Sequence, residues 1–290
     1  MSIAESELIL NANGSVYHLN LKPENIADII ITVGDQDRVE MVSKHFEVIE
    51  FQTQKREFKT HTGFYKGRKM TVLSTGIGVD NIDIVMNELD ALANIDFKTR
   101  TVKEKLKTLS IVRIGTSGGV HEFVELDKFV MSKYGLGFDG LLHYYNNDVS
   151  EKEANASLKK IIALDQKKAE PYLVKSSDEL AELFEMEINV TSGITTTNIG
   201  FYAPQGRTLR IPARDNNLLE DLSHYNYNGY YVTNMEMETS AIYALARLMG
   251  HKALAMNAIV ANRTTGEFSK NSKGVVEDLI LFTLNKLAKL

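Results

Sequence analysis

Short apolar runs recur along the chain, each closed by a glycine-rich or polar stretch. Ile29-Ile30-Ile31-Thr32-Val33 is the first. Its length and β-branched content predict a buried strand, ending at Gly34-Asp35-Gln36-Asp37-Arg38. Val39 and Val42 then predict a helix. Met70 to Thr75 predicts a second strand, ending at Gly76-Ile77-Gly78. Ile82, Val85, Leu89 and Leu92 recur three or four apart and so share one helix face, with Asp80 or Asn81 as the expected cap. Leu109 to Ile114 predicts a strand that closes in a turn at Gly115-Thr116-Ser117-Gly118-Gly119. Lys128 to Ser132 and Asn189 to Gly193 predict two more strands. Residues 143–187 are more polar and carry weak helical signals near 151–164 and 177–186. Residues 237–249 predict a helix with Ala241, Leu245 and Leu248 on one side, and Lys252 to Ala261 a buried strand. A last helix is expected after Gly274, burying Val275, Leu279, Phe282 and Leu287.

Strands alternating with helices imply an α/β sheet covered on both faces. Ligands bind outside strand carboxyl ends in such folds, so three glycine-rich strand ends point to one site. No repeat, low-complexity tract or linker interrupts the pattern. One domain over 1–290 is expected, with 143–187 as an elaboration.

Composition narrows the chemistry. The 290 residues hold 33 basic and 38 acidic side chains, a net charge of −5, and no Cys. That excludes a disulfide framework, a thiolate nucleophile and Cys-ligated metal. The mildly acidic balance speaks against a nucleic-acid partner. No apolar run approaches a membrane span, and the acidic start lacks a basic leader, so no membrane partner and a cytoplasmic location are expected.

Several generic motifs fail. Gly76-Ile77-Gly78-Val79-Asp80-Asn81 is a dinucleotide fingerprint without its third glycine, and no Gly-Lys-Ser/Thr phosphate loop occurs. His121-Glu122 begins a zinc-protease motif, but Glu125 stands where the second His is needed. Gly115-Thr116-Ser117-Gly118-Gly119 matches a serine-hydrolase elbow, yet no long helix signal follows it.

Arg113 is more informative. A guanidinium within an apolar strand needs a partner: a structural carboxylate, or an oxyanion ligand held with the backbone N–H groups of nearby glycines. Gly34 with Arg38 repeats the arrangement at another strand end and favours phosphate. Asn234-Met235-Glu236-Met237-Glu238 opens a helix, where the macrodipole alone accounts for one Glu. The second fits a carboxylate accepting from a ribose diol, with Met237 packed below the sugar.

Taken in order, Val33-Gly34-Asp35-Gln36-Asp37-Arg38, Arg56-Glu57-Phe58, Ser74-Thr75-Gly76-Ile77-Gly78, Arg113-Ile114-Gly115-Thr116-Ser117-Gly118-Gly119 and Asn234 to Glu238 resemble the nucleoside phosphorylase family, of the type that includes uridine phosphorylase. The resemblance runs from Tyr17-His18-Leu19 to Asn262-Arg263-Thr264. It implies a three-layer αβα domain with a mixed central sheet, and reversible phosphorolysis of uridine to uracil and ribose 1-phosphate. It further implies phosphate held by Gly34, Arg38, Arg113 and Thr116, with Arg56 supplied by a neighbouring subunit. Ribose would meet Thr116, Glu236, Met237, Glu238 and the neighbour's His18. The base would meet Gly118, Phe201, Gln205 and Arg207. The catalytic set would be Arg113, Gln205, Arg207 and Glu238.

No cofactor is implied beyond inorganic phosphate as co-substrate. A monovalent cation near Glu57 and Ser74 is a further implication, as is a homo-oligomer, dimer or hexamer, with shared sites. Val33 and Gln36 replace the family's usual prolines, and Thr195-Thr196-Thr197-Asn198 a more typical Ser/Asp stretch. The rivals are a purine nucleoside phosphorylase, a nucleoside hydrolase, a serine hydrolase using Ser117, and a silent nucleoside-binding protein.

Overall fold

The computed structural model describes residues 2–146, 149–161, 168–185, 187, 189–215 and 217–290. Ile29–Val33 forms the expected strand, β1, and α1 (Gln36–Ser43) follows with Asp35 capping its N-terminus. Next come β2 (Val48–Lys55), β3 (Phe58–Tyr65) and β4 (Arg68–Ser74), then α2 (Val79–Asn94). A small hairpin, β5 (Ile95–Asp96) and β6 (Thr101–Val102), leads to β7 (Ser110–Gly119) and β8 (Phe129–Gly137). The polar segment supplies α3 (Lys152–Ile161), β9 (Tyr172–Lys175) and α4 (Asp178–Glu182). Then come β10 (Val190–Thr197), α5 (Leu218–Ser223), β11 (Asn226–Tyr227), β12 (Tyr230–Glu236) and α6 (Thr239–Met249). The chain ends with β13 (Lys252–Asn262), β14 (Glu267–Phe268) and α7 (Ser272–Leu287).

β1 lies between β4 and β7, parallel to both, and β4, β3 and β2 run antiparallel to one edge. Alternate residues of β1 serve opposite layers, because side chains alternate across a strand. Ile30, with Ile111 of β7, packs under Val85 and Leu89 of α2 and Ile242 and Leu245 of α6. Ile31, with Val112, packs under Val39 of α1, Leu180 of α4 and Leu279 of α7. Each such fully buried side chain contributes about 1.5–3 kcal/mol. The result is the expected three-layer αβα arrangement around a mixed sheet.

Beyond β7 the sheet closes on itself. β7 pairs β13, β13 pairs β8, β8 pairs β10, β10 pairs β12, and β12 returns to β7 through Asn234↔Gly119 and Met235↔Gly118. Closing five strands needs bends. Register shifts between Gly193 and Ile194, between Ile194 and Thr195, and between Ile259 and Ala261 supply them.

Several expectations need correction. The segment Gly115–Gly119 is not a turn. It continues β7, because it pairs β13 on one side and β12 on the other. Neither Asp80 nor Asn81 caps α2: the cap is Gly78, at φ 98°, and its N–H donates to Glu238 Oε1. Only glycine takes that backbone conformation readily. Asn234 to Glu236 end β12 rather than open a helix, and α6 begins at Thr239. α7 begins at Ser272, two residues before Gly274. Of its expected apolar contacts, Val275, Leu279 and Leu287 are buried, while Phe282 is half-buried against Phe129 and Phe184. Residues 162–164 and 186 of the two weak helical signals lie outside the described residues. The 143–187 segment is not only peripheral, since β9 extends the sheet antiparallel to β8.

Candidate active site

The glycine-ended strands do converge. Gly34, Gly76 and Gly118 line one cleft of about 1040 Å³, together with Arg38, Arg113, Thr116, Phe201, Gln205, Arg207, Glu236, Met237 and Glu238. The described part of the chain thus brings together every expected site residue except His18 and Arg56.

Arg113 defines one end. It is 6% exposed, and its Nη2 donates to Glu238 Oε2 at 2.5 Å and approaches Glu236 Oε2 at 3.3 Å. Burial alone would lower its pKa, but Glu236 and Glu238 outweigh burial and raise it, so Arg113 stays charged. The two readings of Arg113 therefore merge: it is the structural partner of two carboxylates, and it also faces the cleft. Arg38 enters the same cleft from α1. Its pKa is lowered by burial and then by repulsion from Arg113, against the pull of Asp35. Two guanidiniums that repel across a cavity favour an anion between them.

The two Glu divide their work. Glu236 accepts from the N–H groups of Glu238 and Thr239 and from Thr197 Oγ1. It therefore satisfies the first turn of α6 while lining the cleft. Burial pushes its carboxyl up to about 7, against the pull of Arg113. Glu238 joins Gly78 N–H to Arg113 and ties the second glycine strand end to β7. Met237 stands between them, half-buried in the cleft wall.

The opposite end is a self-satisfied cluster. Arg207 Nη1 donates to Gln205 Oε1 at 2.5 Å and to the Phe201 carbonyl at 2.7 Å, and the Arg207 guanidinium sits 3.8 Å from the centre of the Phe201 ring. Burial, then Arg263, bring the Arg207 pKa down to about 10. Arg263 was not foreseen as a site residue. It lines the cleft and donates to the carbonyl of Gln205, fixing the loop that carries the cluster. Its position directly after Asn262, where the last strand meets the cleft, was the available signal.

His18 and Arg56 lie elsewhere. His18 Nδ1 is 2.7 Å from Glu88 Oε1, and exposed Arg56 packs 5.9 Å from the Tyr17 ring. Neither lines the cleft of its own chain. Ser74 Oγ donates to the Glu57 carbonyl and accepts from Lys59 N–H. Ser117 Oγ accepts from Asn234 Nδ2 at 2.8 Å, and a strand rather than a helix carries it, so the nucleophile elbow is not formed.

The phosphorylase superfamily profile matches residues 28–285. The chain belongs to that superfamily. Within it, this phosphorylase-superfamily chain is 30% identical over 260 residues to a uridine phosphorylase of Thermococcus kodakarensis, covering 89% of this chain and 81% of that one. It is 26% identical over 276 residues to a DeoD-type purine nucleoside phosphorylase of Buchnera aphidicola, covering 94% and 99%. Among solved structures it is similar to a Trypanosoma brucei nucleoside phosphorylase described as showing uridine phosphorylase activity. That match has a TM-score of 0.87 and 28% identity, covering 98% of this chain and 100% of that one. No helix among the described residues is long and apolar enough to cross a membrane.

Proposed function

We propose that the protein catalyses the reversible phosphorolysis of uridine, giving uracil and ribose 1-phosphate. The observation that carries the reading is the chemical polarity of the cleft: two guanidiniums at one end, an amide–guanidinium–aromatic cluster at the other, and Glu238 with Met237 between them. Phosphate between Arg38, Arg113 and Thr116 lies below the sugar, in line with the glycosidic bond. Glu238 accepts from the ribose hydroxyls. Cleavage puts positive charge on the ribose, which the phosphate dianion favours. It puts negative charge on uracil, which Gln205 and Arg207 favour. Phe201 stacks on the base once Arg207 leaves its face. The protein contributes placement and preorganised donors, and phosphate is the nucleophile.

Purine phosphorolysis is the second reading, favoured by the DeoD-type relative that aligns over 94% of this chain. Against it, the strand end Val260-Ala261-Asn262-Arg263-Thr264 carries no acid for a purine leaving group, although Glu267, just beyond it, lines the cleft. An ultraviolet assay of uridine, deoxyuridine, thymidine and inosine, each with and without phosphate, decides. Phosphate-dependent loss of uridine absorbance is expected. Inosine cleaved in preference to uridine would establish the second reading, and cleavage without phosphate would overturn both.

A further inference from the structure

The two carboxylates hold only one nitrogen of Arg113. The other terminal nitrogen, Nη1, donates to Asn257 Oδ1 at 3.0 Å. From there a chain of buried hydrogen bonds runs once around the closed five-stranded ring. Asn257 Nδ2 on β13 lies 3.3 Å from Ser132 Oγ on β8, and Ser132 Oγ lies 2.5 Å from Thr195 Oγ1 on β10. Thr195 Oγ1 lies 2.8 Å from Asn234 Oδ1 on β12, and Asn234 Nδ2 lies 2.8 Å from Ser117 Oγ, back on β7. A guanidinium can only donate, so it fixes which end of the Asn257 amide faces it. Asn257 then donates to Ser132, and a consistent set of directions continues with Ser132 donating to Thr195, Thr195 to Asn234, and Asn234 to Ser117. The cation at one end thus orients the first amide of a ring whose members are all hydrogen-bonded to one another.

Two independent observations show that the Arg113–Asn257 bond is provided for. A Cβ at Gly115 would stand 1.7 Å from Arg113 Nη1 and 2.7 Å from Asn257 Oδ1, so the backbone is bare where the bond passes. Charge is the second. Glu236 and Glu238 already face Arg113. A third carboxylate would add further negative charge beside the guanidinium that faces the anion. An amide supplies the acceptor oxygen without that charge.

We propose that Asn257 is a positioning residue that aims Arg113 at the anion end of the cleft, held in turn by the hydrogen-bonded ring. The proposal rests on the reading that Arg113 binds phosphate. Its test compares wild type with Asn257→Leu, Asn257→Asp and Gly115→Ala. Phosphate binding is titrated calorimetrically without nucleoside, KM is measured for each substrate, and melting temperature is followed.

A lost hydrogen bond to a charged group corresponds to a weakening of phosphate binding by about 10- to 100-fold, expected for Asn257→Leu and Gly115→Ala with the nucleoside KM nearly unchanged. Asn257→Asp keeps the acceptor and adds charge. It loses the donor to Ser132 and is expected to melt somewhat below wild type, and it is expected to bind phosphate more weakly with the nucleoside KM nearly unchanged, a split that a merely structural role does not produce. A folded Asn257→Asp protein with wild-type phosphate affinity would overturn the proposal, as would Asn257→Leu raising both KM values alike. Wild type that binds phosphate but cleaves no nucleoside would instead overturn the proposed function, and the titration still reads the role of Asn257.

Discussion

Arg113 shows how one side chain can be committed to both fold and function. Removing it strips the partner from two buried carboxylates, and breaking a buried pair costs about 3–5 kcal/mol. Arg113→Ala should therefore lose phosphorolysis by about 10²–10³ or more and also melt well below wild type. Near-normal phosphate-dependent uracil release in that variant would remove Arg113 from the phosphate site.

Glu236 gives a second residue-scale expectation. Its carboxyl holds a proton up to about 7 in the folded chain, against a usual value of 4.5. The folded state thus binds that proton more tightly than the unfolded state. The associated stability is full below about pH 4.5 and is lost as pH rises through about 7. Melting wild type and Glu236→Gln across that window should show the advantage of wild type shrinking as pH rises. A constant difference would mean that Glu236 is ionised throughout. The sequence pointed to both residues through their chemistry, a lone Arg in an apolar strand and a doubled Glu. It did not show that Glu236 serves the first turn of α6, because that depends on where β12 ends.

At the scale of elements, hydrophobic periodicity was a faithful guide wherever a strand separates two apolar layers, as in β1, β4, the first half of β7 and β13. It fell short at parts of the closed ring, missing β12 and the ends of β7 and β10. β12 carries Thr233, Asn234 and Glu236, β10 ends in Thr195-Thr196-Thr197, and β7 ends in Gly115 to Gly119. Thr195, Thr197, Thr233, Asn234 and Glu236 are buried, but hydrogen bonds between β10 and β12 rather than apolar contacts hold them. A pattern of apolar positions cannot register strands of that kind. β2 was missed for another reason: it is an edge strand with half its side chains in water.

Tyr243 of α6 joins the helix layer to this region. Its hydroxyl donates to the Ser132 carbonyl and accepts from Ala255 N–H. Tyr243→Phe leaves both buried groups without that partner. It should lower unfolding free energy by about 1–3 kcal/mol in a denaturant titration, with substrate KM values little changed. A variant as stable as wild type would show that α6 is held by its apolar face alone.

For the whole molecule, the placement of His18 and Arg56 matters most. Both belong to the expected ligand set, and both lie outside the cleft of their own chain. Under the proposed function, an oligomer in which each copy lends these residues to a neighbour resolves the mismatch. Mixing Arg56→Ala with Gln205→Ala chains under conditions that exchange subunits should then rebuild some intact sites. The mixture should be more active than the sum of its parts, and no gain would place each site within a single chain. The net charge of −5 had suggested little about anionic substrates. The cleft shows why: Arg38, Arg113, Arg207 and Arg263 are gathered there among several carboxylates, so the local placement of guanidiniums matters and the total charge does not.

The closed ring also sets a timetable. A strand with partners on both sides releases its amide protons to solvent only when the surrounding structure opens, whereas edges and surface loops release them early. β7 has three strand neighbours and carries Arg113 and Thr116, so its amides should be among the last to take up deuterium. Phe201, Gln205 and Arg207 sit on the loop between β10 and α5, and that loop should label early. One wall of the cleft would then keep time with global unfolding and the other with the surface, so that the anion end stays fixed while the base end adjusts to its ligand.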